Sequence, residues 1–430
     1  MRLLIALCLF CAGASNAAED WLLTLQNVRQ KVIEAIGRSD NYICMQDLSR
    51  FYYDVSNPAL ACRQPPAVPS TPPRVQDRLK LDVAVSQGSE IYSWHGDNKF
   101  AATTVSQVVR EGPIASGSFN GYLRNIFGER GVSFTYRGLS KINGLDLYSF
   151  DYEVPLAASH YQVQAGKHFV LTPFHGSFSA HAGNFLLYSL VVTADEDKLS
   201  QKTDICASET RLVYQSVRIG SHDSLLPASF DLLIGGQEGS FTESEGLYSA
   251  CREYTGESIL HFDIDDTEKA VAGPTKLESE PLRSGIYLRI GLRGQIDEES
   301  AYAGMPIEAV LVHAAKIGKG ITLPRGAELR GVITRFQIVR RPAHAVVMKL
   351  EFNSITDGKT LYLCSAIHAV IPTSPLGFPV GRRGSMPVRG MNQLNEPSDG
   401  SLIFNDSRVH LDKNFTSLFV TINPSESDAR

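Results

Sequence analysis

The sequence contains no apolar run long enough to cross a bilayer. Its longest, Leu3 to Ala12, is about half of the roughly 20 residues that a spanning helix needs. It contains no CxxC pair, which excludes a thioredoxin-type redox centre and a zinc knuckle. The nucleophile elbow GxSxG, the phosphate loop GxxxxGK[ST] and the metalloprotease helix HExxH are missing too, so no catalytic residue, cofactor site or metal site can be named from motifs. Charge of one sign is not concentrated either. The first 270 residues carry 22 Lys and Arg against 31 Asp and Glu, and the remaining 160 carry 19 against 15. Nucleic acid requires a concentrated basic face, and neither balance provides one.

What is present begins with an export signal. Arg2 supplies a positive charge, Leu3 to Ala12 an apolar core, and Ser15-Asn16-Ala17 or Asn16-Ala17-Ala18 a small-x-small cleavage point. A cut near Ala17 or Ala18 is expected, leaving a mature chain in the periplasm or outside the cell with no transmembrane segment. Cys8 and Cys11 follow Leu7 and Phe10, not the small residues that lipidation requires.

Five cysteines remain after the signal: Cys44, Cys62, Cys206, Cys251 and Cys364. In an oxidising compartment the first four are disulfide candidates and Cys364 is a free thiol. Pairing of neighbouring segments favours Cys44 with Cys62 and Cys206 with Cys251, with the crossed arrangements left open. Cys364 lies inside a strand pattern without an adjacent basic residue, the setting of an inert buried thiol.

Hydrophobic residues make up 43% of the chain, and 35 glycines punctuate it. Both values suit a sheet-rich protein with real cores. Leu25, Val28, Val32 and Ile36 recur at helical spacing over residues 20–37. A strand follows over Tyr42–Tyr53, then a five-proline loop from Gln64 to Arg74 that cannot enter a ladder. Residues 79–85 and 91–94 read as a hairpin, and two short helices come next. Val105, Val108 and Val109 share a face of the first; Phe119, Leu123, Ile126 and Phe127 share a face of the second.

Residues 132–263 read as an antiparallel meander, with strands at 132–140, 145–154, 160–170, 174–181, 185–193, 209–219, 225–235, 240–249 and 252–263. The expected class is therefore mainly β (α+β): an antiparallel curved half-barrel with helical cover over residues 19–263. Residues 264–284 form a linker. A second small β-barrel or sandwich covers 285–424, with a Pro/Gly-rich loop at 372–400. Its strands are expected at 286–292, 307–313, 328–339, 344–353 and 359–368, with turns at Pro324-Arg325-Gly326 and Asp357-Gly358.

The order of a long helix, an extended meander and two short helices after the third strand resembles the LolA/LolB and RseB group of periplasmic proteins. The phrases NYICMQDLSRFYY, DRLKLDVAVSQGSEIYSW, FTYRGLSKINGLDLYSFDY, VYQSVRIGSHDSLLPASF and CREYTGES resemble uncharacterised secreted bacterial proteins. The resemblance covers residues about 20–260 and implies a curved half-barrel closed by helices over an apolar cavity. Residues about 285–425, through GMPIEAVLVHAAKIGKGITLPRGAELRGVI, are similar in pattern to the barrel of TrbI-type conjugation-channel proteins.

Metal chemistry has weak candidates. His168 and His175 fall on opposite faces of a strand, and His175 and His181 lie six residues apart. Asp263 to Glu268 is oxygen-rich but lacks the glycine and distal Glu of a calcium loop. The reading is a non-enzymatic envelope protein that binds a lipid or lipoprotein acyl chain, with an envelope protein as a further partner. The alternative is a structural or protein-interaction module without a small ligand.

Overall fold

The computed structural model describes residues 12–37, 41–86, 89–97, 100, 104–165, 168–253, 278–318, 320–369, 399–405 and 408–422. Most of the expected signal, the Asp263–Glu268 run, residues 264–277 of the expected linker and most of the loop at 372–400 lie outside them. Strand accounts for 56% of the structure and helix for 13%.

Two compact units divide the chain. The first comprises Met1–Pro72, Asp82–Ser93 and Lys99–Thr255. It opens with helix α1 (Ala12–Gly37), strand β1 (Tyr42–Asp54) and the short α2 (Pro58–Ala61). The strands β2 (Val75–Ser86) and β3 (Ser89–Trp94) precede α3 (Val105–Val108) and α4 (Gly121–Leu123), and α4 runs into a π turn over Arg124–Gly128.

The meander follows as β4 (Ser133–Ile142), β5 (Leu145–Val154), β6 (Gln162–Ala165), β7 (His168–Leu171), β8 (Phe174–His181) and β9 (Leu187–Ala194). After α5 (Glu196–Ser200) come β10 (Ile205–Ile219), β11 (His222–Gly236) and β12 (Ser240–Glu253). Their ladder runs β3-β2-β1-β12-β11-β10-β9-β8-β5-β4.

Alternation fixes the inward face. On β10 Leu212 and Tyr214 are buried while Arg211, Val213 and Gln215 face outward. The β4–β5 hairpin turns on Asn143 and Gly144, both at positive φ (51° and 83°), the conformation that a two-residue hairpin loop matched to strand twist demands.

Several sequence expectations change here. Helix α1 begins at Ala12, earlier than residue 20, and its expected stripe of Leu25, Val28, Val32 and Ile36 is buried. The expected strand at 160–170 is two strands, β6 and β7, paired only with each other. The expected strands at 240–249 and 252–263 begin as one strand, β12, whose ladder with β1 is interrupted by a bulge. Ala250 lies at the bulge with φ 50°.

That bulge also corrects the cysteine pairing. Because β1 runs antiparallel to β12, Cys44 lies beside Cys251, with their Cα atoms 4.1 Å apart. Cys62, just after α2, bonds Cys206 at the start of β10. The favoured Cys44–Cys62 and Cys206–Cys251 pairs are replaced by Cys44–Cys251 and Cys62–Cys206, because sheet order, not closeness in sequence, places the thiols.

The second unit comprises Pro73–Leu81, Trp94–Asn98 and Gly256–Arg430. Its strands are β13 (Glu278–Pro281), β14 (Tyr287–Leu292), β15 (Ile296–Asp297), β16 (Pro306–Leu311), β17 (Ala315–Gly318) and β18 (Ile321–Leu323). They continue as β19 (Glu328–Val339), β20 (Ala345–Thr356), β21 (Thr360–His368), β22 (Leu402–Phe404), β23 (His410–Leu411) and β24 (Thr416–Ile422).

Strands β14, β16, β19, β20, β21 and β24 pair in that order, and β24 returns to β14, closing a six-stranded antiparallel barrel. Closure removes the open edges that a sheet must otherwise protect. Leu288, Ile290, Leu311, Ile333, Phe336, Leu350, Phe352 and Phe419 fill its interior. Two chain segments join this unit from far upstream. Val75–Asp77 pair with Val339–Gln337 of β19, and Ala303 exchanges hydrogen bonds with Arg78 and Lys80.

Candidate functional site

In the first unit the inward face of the sheet is covered by α1 and by the insert from Thr104 to Gly128. The insert has little regular structure to hold it. Helices α3 and α4 are four and three residues long, well short of what an isolated helix needs to persist. Its hold on the sheet is side-chain burial. Phe119, Tyr122, Leu123, Ile126 and Phe127 are all buried.

The cover has two chemically different halves. Over β4, β5 and β8 it is aromatic. Phe127 packs at 5.0 Å on Phe178, which stacks at 5.0 Å on Phe150. The Arg29 guanidinium of α1 lies over the Phe134 ring and donates to the Phe127 carbonyl at 2.9 Å. This fastens α1 to the end of the insert.

Over β1, β3, β10 and β12 the surroundings are phenolic. The Phe119 ring sits 5.7 Å from Tyr42 and 5.0 Å from Tyr248. Glu90 of β3 receives the backbone N–H of Gly117 on one oxygen at 2.7 Å and that of Phe119 on the other at 3.0 Å. The Tyr92 hydroxyl donates to the same carboxylate, and Tyr214 donates to the Ser118 carbonyl at 2.8 Å. Burial raises the phenols of Tyr42, Tyr92, Tyr122, Tyr214 and Tyr248 above the ordinary tyrosine range, and the Glu90 charge adds to each. Both effects disfavour phenolate, so these hydroxyls remain donors at any physiological pH.

Further back along β1, Gln46 donates to the Tyr248 hydroxyl at 3.1 Å. Its Oε1, and the Oγ of Ser244 on β12, are buried without a hydrogen-bond partner. Arg50, on the same face and 4% exposed, donates to the carbonyl of Glu111 at 2.7 Å. A side chain at Gly112 would collide with Tyr52 and Arg50.

The residues singled out from sequence fall elsewhere. Cys44, Cys62, Cys206 and Cys251 form the two disulfides, and Cys364 is a free thiol on β21. Burial, with the Glu351 charge added, pushes the Cys364 thiol up to about 12. His175 is exposed on β8, and His181 packs at 5.4 Å against Tyr188; the His168 side chain is outside the described residues. Among the described residues no three His, Cys, Asp or Glu side chains come together as a metal site. Glu90 was missed. Its one signal was an acidic residue sharing a strand face with Tyr92, shortly before a glycine-bearing apolar insert.

No protein-family model and no curated protein matches this sequence. Among solved structures, a LolA superfamily protein from Nitrosomonas europaea is similar at 11% identity and TM-score 0.28, over 54% of this chain and 94% of that one. A member of a family of unknown function from Desulfovibrio piger is similar at 11% identity and TM-score 0.26, over 55% of this chain and 95% of that one. A domain described as a candidate for outer membrane lipoprotein sorting, from Vibrio parahaemolyticus, is similar at 11% identity and TM-score 0.27, over 54% of this chain and 92% of that one. These likenesses concern the backbone, and over about half its length the chain is similar to LolA superfamily and lipoprotein-sorting domains.

Proposed function

We propose that this is an exported, non-enzymatic binding protein of the bacterial envelope, whose first unit takes up an apolar ligand such as a lipid or a lipoprotein acyl chain. The observation that carries the reading is the cover over the sheet's inward face. An antiparallel sheet presents Phe134, Phe150, Phe178 and Phe230 beneath an insert whose buried Leu123, Ile126 and Phe127 lie in α4 and its π turn, with the buried Phe119 just before them. Such an insert can exchange its own apolar side chains for those of a ligand at small net cost, because the area leaving water is similar in both states.

The two disulfides support an oxidising, extracytoplasmic location. Among the described residues no helix is long and apolar enough to cross a membrane. Native mass spectrometry of the protein isolated from a bacterial envelope tests the reading. Co-purified lipid is expected. Its absence, together with no uptake of a fluorescent alkyl probe, overturns the reading.

A second reading, a protein-interaction module, has one observation in its favour. Ile142 and Leu145, cross-strand partners at the β4–β5 turn, are both exposed, where they offer an apolar surface to a partner protein. Light scattering after size exclusion, with and without envelope extract, separates the two readings. A stable complex that forms without lipid favours the second.

A further inference from the structure

The polar half of the interior defines what kind of amphiphile would fit, given the apolar-ligand reading above, on which this inference rests. The segment Gly117-Ser118-Phe119 is held as a bound molecule would be. Two N–H groups donate to the Glu90 carboxylate, one carbonyl accepts from the Tyr214 phenol, and one apolar ring lies between Tyr42 and Tyr248. A plain alkyl chain has no use for this arrangement. Nor does it explain Gln46 Oε1 and Ser244 Oγ, both buried on fully enclosed side chains and both without partners. Buried polar atoms of this kind are rare and usually mark an expected water, ion or ligand.

The geometry points to an amphiphile whose head carries N–H donors and a carbonyl, the chemistry of an N-acyl amide, as the ligand that replaces Gly117–Phe119 on Glu90 and Tyr214. Donation to an ionised carboxylate is the stronger class of hydrogen bond. A free fatty acid would instead bring its own carboxylate against Glu90, a like-charge contact. The tail would lie along the aromatic rings of Phe127, Phe150 and Phe178.

Two fluorescent probes with the same tail and label, one an N-acylethanolamide and one the free fatty acid, test this on the purified mature protein at pH 7. The amide is expected to bind at least about tenfold more tightly, the effect of one charge-assisted hydrogen bond. Glu90→Gln keeps an acceptor but removes the charge, and should bring the two affinities to within about threefold of each other, mainly by improving the fatty acid. Tyr214→Phe should weaken the amide selectively, which keeps the test decisive if Glu90→Gln does not fold.

Equal affinities in the wild-type protein, or tighter binding of the fatty acid, overturn the head-group assignment and leave the apolar-ligand reading standing. Failure of both probes removes the two together. If Glu90→Gln raises both affinities equally, Glu90 is only an anchor for the insert, and the assignment falls.

Discussion

Gly246 shows how little slack the first unit's interior has. It stands on β12 opposite Phe230 of β11, and a Cβ there would enter the Phe230 ring. Gly246→Ala should therefore destabilise the first unit by about 1–3 kcal/mol through overpacking. Thermal unfolding followed by far-UV circular dichroism would detect this, and an unchanged Tm would mean the ring can move aside. Cys364 tests burial differently. A thiol pushed up to about 12 is almost entirely protonated at pH 8, and thiolate is the reactive form. Its alkylation by iodoacetamide at pH 8 should be slow in the native protein and fast in denaturant; equal rates would contradict the burial. The expectation of an inert Cys364 rests on local sequence, since no basic residue stands beside it. Glu90 was not legible. Its importance comes from two backbone N–H groups some 30 residues away in the chain, and no local pattern reports them.

At the scale of elements, period and punctuation revealed most of the structure. The α1 stripe, the Asn143-Gly144 turn, the insert after the third strand and most barrel strands follow from helical spacing, alternation and glycine position. A bulge was beyond them. Ala250 interrupts alternation on β12, so the sequence there reads as two strands, and closeness in sequence, which does not report sheet order, assigns Cys251 to the wrong neighbour. Peptide mapping without reduction should recover Cys44 linked to Cys251 and Cys62 linked to Cys206; recovery of Cys44 with Cys62 would refute the sheet order. Removing either bridge should cost about 2–4 kcal/mol, since each closes a long loop, with sequence separations of 207 and 144. The insert calls for the opposite expectation. With short helical pieces and side-chain anchors, its amides at 117–128 should exchange with deuterium well before those of the β10–β11 ladder. An apolar ligand should speed that exchange by displacing the segment, and slower exchange on ligand binding would count against displacement.

On the scale of the whole molecule, neither compact unit is one continuous stretch of chain. The mainly β class was open to sequence reading because alternation is local. That Pro73–Leu81 and Trp94–Asn98 belong to the second unit was not, because a strand pattern carries no mark of which ladder it will join. Residues 75–77 complete the side of β19 in that unit, so a barrel expressed from residue 278 onward lacks a strand segment it normally has. Such a fragment should be less soluble and melt at a lower temperature than one supplied in trans with a peptide spanning residues 73–98; equal behaviour would show the segment to be dispensable.

The same interleaving imposes a timetable on synthesis. Residues 75–80 emerge early, yet the partners of this segment, β19 for residues 75–77 and Ala303 for Arg78 and Lys80, are made only after the whole meander has left the ribosome. For that interval an apolar, half-alternating stretch is left without its pair, as Leu79 and Leu81 are wholly enclosed only in the finished protein. A holding factor acting on the nascent chain would find its target there.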